Sequence, residues 1–88
     1  MKIMEIWKFG INAATISIDM PKGAQPLCVQ VQRDVPCLWA IVDPSAEMEK
    51  VKVEIYGTGH AMPENPGKYI GTFQVSGGVY VFHVFIPN

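Results

Sequence analysis

The sequence predicts an all-β fold, a small antiparallel β-sandwich or barrel of about six to seven strands with at most one short helical turn. Two observations carry this. Glycine and proline are dense, 8 and 7 among 88 residues, and the intervals between them are too short for ordinary helices. Within those intervals apolar and polar side chains alternate with a period of two, the pattern of a strand with one buried face. A chain this short builds one core, so residues 1–88 read as a single β domain.

Met4-Glu5-Ile6-Trp7-Lys8-Phe9 reads as a first strand ended by Gly10, and Thr15-Ile16-Ser17-Ile18 as a second with Ile16 and Ile18 on one face. Met20-Pro21-Lys22-Gly23 turns the chain. Leu27-Cys28-Val29-Gln30-Val31-Gln32 alternates again, which predicts Leu27, Val29 and Val31 inward and both glutamines outward. Arg33-Asp34-Val35-Pro36 suits a short hairpin connection to Cys37-Leu38-Trp39-Ala40-Ile41-Val42. That segment is apolar on both faces, so it is central or part of an interface. Asp43-Pro44-Ser45-Ala46-Glu47 has the capping residues for one helical turn. Residues 50–55 alternate charged and aliphatic side chains, as one strand with a wet face does. Residues 69–75 and 78–86 form a closing hairpin turned at Ser76-Gly77-Gly78, with Pro87 ending the last strand.

Composition narrows the function classes. Apolar residues make up 49% and charged residues 17%, which excludes a disordered chain. Seven basic residues stand against eight acidic ones with no basic run, so tracking of an extended nucleic acid is disfavoured, because neutralised phosphates supply most of that affinity. A small anion needs only a few donors. The longest apolar runs, 35–42 and 79–86, fall short of the ~20 residues of a membrane-spanning helix. Charge lies inside the apolar N-terminal positions, so Met1 to Lys8 does not read as a signal peptide. A domain of this size has a marginal balance of burial against ordering entropy. With only two cysteines to staple it, oligomerisation is the expected supplement, and Cys37, Trp39 and Ile41 are the expected interface residues.

The groups that carry chemistry are few. Cys28 and Cys37 with His60 and His83 are tetrahedral ligand types, but no short Cys-x-x-Cys knuckle is present, so no metal site is expected and the cysteines read as buried free thiols. None of Ser17, Ser45 or Ser76 has a nucleophile-elbow setting, and no catalytic residue is assigned. Gly57-Thr58-Gly59-His60 stands out. It follows a strand and places two glycines, a hydroxyl and an imidazole within four residues, so amides and side chains can converge on an anion or a nucleotide edge. The bland alternative is a tight β-turn with His60 merely exposed. His83 lies opposite in face to Phe82 and Val84 and reads first as a histidine satisfied by a neighbouring carbonyl or hydroxyl. Trp39 reads as core, whereas Tyr56 and Tyr69 flank the loop and are the stacking candidates.

Several phrases taken in order, Met20-Pro21-Lys22-Gly23-Ala24, Val35-Pro36-Cys37-Leu38-Trp39-Ala40, Ile55-Tyr56-Gly57-Thr58-Gly59-His60, Tyr69-Ile70-Gly71-Thr72-Phe73-Gln74 and Val81-Phe82-His83-Val84-Phe85, resemble a family of small uncharacterised tailed-bacteriophage proteins. The resemblance implies a phage protein acting in the host bacterial cytoplasm, where small accessory proteins often bind and disable host components, including immune machinery. It assigns no residue a role.

The expectation is therefore a non-enzymatic phage accessory protein, countering host defence by sequestering a small nucleotide-like ligand such as an immune signal, and working as a homo-oligomer without a cofactor. Its ligand-binding residues are expected to be Tyr56, Gly57, Thr58, Gly59, His60, Lys68 and Tyr69. The alternatives are an inhibitor that binds a host protein through a sheet edge or apolar patch, and a minor virion component.

Overall fold

Eight antiparallel strands and one 3-10 turn make up the computed structural model, which describes all 88 residues. The strands are β1 (Glu5–Gly10), β2 (Ser17–Pro21), β3 (Gln25–Gln32), β4 (Val35–Val42), β5 (Met48–Lys52), β6 (Glu54–Gly57), β7 (Lys68–Val75) and β8 (Tyr80–Ile86). They form a small sandwich-like fold. One layer is the sheet β1-β4-β3, and the other contains the sheet β6-β8-β7 and the ribbon β2-β5. Val53 alone interrupts the chain between β5 and β6, and its amide donates to the Ile16 carbonyl at 2.9 Å, so ribbon and sheet join through one residue.

Both inner faces follow from the alternation of side chains. Leu38, Ala40 and Val42 of β4 are fully buried and meet Phe73 and Val84 from the opposite sheet, with Met20 and Val53 closing the ribbon end. The core is thin: the molecule measures 45 × 32 × 17 Å, two layers and little more. Its centre is a close crossing of β3 and β7. A Cβ on Gly71 would stand 2.8 Å from both the amide nitrogen and the Cβ of Val29, so only glycine permits this approach.

Each layer carries a bulge beside that crossing. In β3 the register jumps between Pro26, opposite Ala40, and Cys28, opposite Trp39. In β7 it jumps between Tyr69, opposite Phe85, and Gly71, opposite Val84. A bulge sets two residues against one and re-aims the side chains that follow.

These details correct several sequence expectations. Of the three residues predicted inward on β3, only Val29 is buried: Leu27 is the bulged residue and Val31 runs past the covered part of the sheet, and each is nearly half exposed. Ile18 is buried but Ile16 precedes β2 and is 76% exposed. Met20 and Pro21 belong to β2 and are buried, so the turn falls one step later, with the Ala24 amide donating to the Pro21 carbonyl. The β3–β4 connection is only Arg33-Asp34, both at positive φ (51° and 66°), which gives the two-residue hairpin turn whose twist matches the strands. Residues 50–55 split at Val53, which raises the strand count to eight. The helical turn is at Ser76–Gly78 and not at residues 43–47. Trp39 lies outside the core, half-buried on the outer face of β4 with the Lys8 ammonium 5.9 Å from its ring centroid.

Residues 43–47 are held instead by an Asx-type turn. The Asp43 carboxylate accepts hydrogen bonds from the Ser45 hydroxyl (2.7 Å) and amide (3.0 Å) and faces Lys2 Nζ at 3.4 Å. The Ser45 hydroxyl, then its amide, hold the Asp43 carboxyl below the usual carboxylate range against the opposing effect of desolvation, with weaker help from Lys2. Stability gained this way is present above the ordinary carboxylate value of about 3.9 and lost as pH falls through the lower folded value. Ser45→Ala is expected to move the Asp43 titration upward, read by carboxyl NMR. Gly71→Ala is expected to cost about 1–3 kcal/mol in urea unfolding, because the new methyl meets Val29 backbone that cannot rotate away; an unchanged midpoint would show that the two sheets can part there at no cost.

Candidate functional site

The outer face of β6-β8-β7 brings most of the predicted binding residues together. Register sets Tyr56 and Thr72 on either side of His83, and Glu54 and Tyr69 on either side of Phe85. Phe85 is therefore the middle ring of three. It meets Tyr56 at 5.8 Å and Tyr69 at 5.5 Å between centroids, both edge-to-face, the favoured geometry for aromatic pairs.

A polar chain runs alongside these rings. The Tyr69 hydroxyl lies 2.6 Å from Thr72 Oγ1, which lies 3.0 Å from His83 Nδ1; His83 Nε2 lies 2.7 Å from Thr58 Oγ1, which donates to the Val81 carbonyl at 3.3 Å. The β7 bulge makes this possible. Residues three apart on a regular strand point to opposite faces, but the extra residue between Tyr69 and Gly71 returns Tyr69 and Thr72 to one face.

Gly57-Thr58-Gly59-His60 caps the end of β6. The His60 amide donates to the Gly57 carbonyl at 3.0 Å, and Gly59 has φ +85°, so the segment is a tight turn. The Thr58 amide and hydroxyl both reach Val81 of β8, which fixes the turn to the sheet. Gly57 has a second use. A Cβ there would come within 2.7 Å of His60 Nδ1, so the exposed imidazole folds back over the glycine. The turn, the three rings, His83 and Met62 enclose an open hollow of about 310 Å³. A smaller hollow of about 180 Å³ shares Gly57, Thr58 and His60 and continues toward Tyr80 and Phe82.

Six of the seven expected binding residues line the larger hollow. Lys68 does not: it stands at the first position of β7 opposite Ile86. Sequence reasoning left out Phe85, Thr72 and Met62 and placed His83 first as a satisfied histidine, with a pocket or interface histidine as the alternative. Its partners are indeed hydroxyls, and it forms part of the wall as well. The period-two pattern offered one signal, since His83 and Phe85 share the face opposite Phe82 and Val84.

Other hollows differ in chemistry. One of about 510 Å³ lies between the hairpin tips at Asp34 and Gly77 and has no ring or imidazole. One of about 430 Å³ on the other layer is lined by Lys8, Gln32, Arg33 and Cys37. There the Lys8 ammonium is already held by Gln32 Oε1 at 2.7 Å and by the Trp39 ring. Cys37, Trp39 and Ile41 occupy alternate positions of β4 on that outer face, with Cys37 buried and the other two half-buried. Cys28 and Cys37 are free thiols, and no three His, Cys, Asp or Glu side chains converge as a metal site would require.

Fold and site together define a small antiparallel β-sandwich that carries an aromatic, hydroxyl-lined cleft on one outer face. No helix is long and apolar enough to cross a membrane. The chain belongs to the family described as Domain of unknown function (DUF7352), which it matches over residues 3–88. No curated protein and no solved structure matches it.

The chain of hydroxyls is also structural. Thr72→Val removes the partner of His83 Nδ1 and of the Tyr69 hydroxyl together, and is expected to cost about 1–3 kcal/mol, because a half-buried ring nitrogen is left unpaired. Urea unfolding of the variant beside Tyr69→Phe, which leaves the Thr72–His83 bond intact, separates the two contacts.

Proposed function

We propose that this protein is a non-enzymatic binding protein for a small nucleotide-like ligand, held in the cleft between Tyr56, Tyr69 and the Gly57–His60 turn. The observation that carries the reading is the adjacency of three aromatic rings to a continuous line of hydroxyl and imidazole groups. Ring faces supply sequence-tolerant stacking for a heterocycle, and the polar line supplies donors and acceptors for its edge or its sugar.

The resemblance to tailed-phage proteins supports a setting in the host bacterial cytoplasm, where sequestering a nucleotide signal of the host immune response would counter defence. Homo-oligomerisation is supported by the apolar outer face of β1-β4-β3, where Ile6 is 61% exposed beside half-buried Trp39 and Ile41. The same face favours a second reading, an inhibitor that docks on a host protein. That reading predicts a stable complex from host lysate that is indifferent to changes at Tyr56 or Thr58.

Denaturing the purified protein and analysing what it releases by mass spectrometry, with thermal-shift measurements on a nucleotide panel, tests the binding reading. A bound or stabilising nucleotide is expected. Tyr56→Ala and Tyr69→Ala should each weaken it by about 1–3 kcal/mol. If nothing is released and no nucleotide raises the melting temperature, the reading is wrong.

A further inference from the structure

We propose that the cleft recognises a phosphodiester anion through proton uptake: His83 takes a proton from solvent as the anion binds, and the hydroxyl chain presents the resulting hydrogen-bond donor to the ligand at Tyr69. This inference rests on the nucleotide-like reading above. Its starting point is a deficit of charge. No lysine or arginine lines the cleft: Lys68 pairs with Ile86 at the strand end, and Lys8 and Arg33 belong to the other layer. An anion bound here meets only neutral donors and two imidazoles, His60 and His83.

His83 is built to carry the charge. A neutral imidazole has one N–H and one lone pair, whereas the imidazolium has two N–H donors. In the protonated state Nε2–H donates to Thr58 and Nδ1–H to Thr72. Thr58 then gives its own proton to the Val81 carbonyl, and Thr72 gives its own to the Tyr69 oxygen. Every partner is kept. The Tyr69 proton, no longer able to point at Thr72, is directed into the cleft. In the neutral state with Tyr69 donating inward, its oxygen offers the ligand only lone pairs, which repel an anion. Relative to the neutral tautomer in which Nε2–H donates to Thr58 and Thr58 to the Val81 carbonyl, one proton thus adds charge at His83 and a donor at the ligand.

The surroundings do not compete for that charge. Tyr56 faces His83 from β6, Thr72 with Tyr69 from β7, and Thr58 from the turn that also carries His60, while Phe85 follows on its own strand. Glu54 lies on the same face opposite Phe85, but its carboxylate is held by Lys52 at 3.2 Å and makes no ion pair with His83. Imidazole ionises near neutral pH, so an anion that favours the protonated form binds more tightly as pH falls through that range and loses the gain as pH rises.

Calorimetry with cyclic AMP, whose phosphodiester keeps one charge throughout, and with adenosine as its neutral counterpart tests this. Cyclic AMP is expected to bind about tenfold more tightly at about pH 6 than at about pH 8, with proton uptake seen as a dependence of the heat on buffer, and adenosine equally at both. His60→Gln should keep the dependence and Thr72→Val should flatten it. Equal cyclic AMP affinity at both pH values overturns the inference and leaves the nucleotide reading standing; failure of both ligands to bind at the lower pH overturns the two together. A dependence lost in His60→Gln and kept in Thr72→Val also overturns it. Should Thr72→Val not fold, nitrogen-resolved NMR of the native complex at about pH 7 decides: both His83 ring nitrogens protonated is the expected result, and one unprotonated nitrogen the opposing one.

Discussion

The crossing of β7 over β3 at Gly71 and Val29 is the constraint on which the rest of this protein depends. With only a thin core between two layers, burial requires the sheets to approach closely, and at this point backbone meets backbone with no room for a Cβ. The β7 bulge adjoins the contact. It lets Ile70 and Gly71 both turn inward, where each is buried, and so turns Tyr69 outward one position early. The packing solution and the construction of the cleft are therefore one backbone feature.

That dependence explains why the cleft is a defined surface and not a loose loop cluster. Its polar line is anchored on three elements, the turn after β6, the middle of β8 and the middle of β7, with Thr58–His83 joining turn to strand, Thr72–His83 crossing the β7–β8 register and Tyr69–Thr72 running within β7. The Gly57–His60 turn, exposed and glycine-rich, would be mobile by composition alone. Two contacts from Thr58 to the Val81 carbonyl tie it to the central strand. Sites held by regular strands keep their geometry better than sites on loops alone.

How much of this was legible in the sequence depended on whether the signal was local. Alternation identified the strands and the face of His83, and glycine with proline identified the turns. The closing hairpin and the two-faced strand β4 came through because their patterns are long and unbroken. What failed was whatever depended on a bulge or an edge. Leu27 and Val31 fit the inward pattern but sit past a register shift and past the covered part of the sheet. Trp39 looked like core because large aromatics usually are, yet β4 gives its inner face to the small Ala40 and to Leu38 and Val42. Of the site, the turn and its flanking tyrosines were visible, whereas Lys68, drawn in by proximity in sequence, is not among the residues that line the hollow. Thr72 and Phe85 were not visible. Their role depends on cross-strand partners 11 and 16 residues away, Thr72 with His83 and Phe85 with Tyr69, in a register set by the bulge.

The two outer faces differ in kind, and the crossing lies between them. Beside Val29 on one side stand Cys28 and Trp39, part of a largely apolar face; beside Gly71 on the other stand Thr72 and His83, part of a polar and aromatic one. Both faces hang on neighbours of the same contact, where the two sheets approach more closely than packed sheets usually do. Interiors this tightly packed do not absorb strain locally, because a shift at one backbone contact must be passed to the next. A change that opens Gly71 from Val29 would then disturb Tyr69 and Thr72 through the bulge and Cys28 and Trp39 through the β3 register. In a protein with a core one side chain deep, stability and the geometry of both faces are set at the same point.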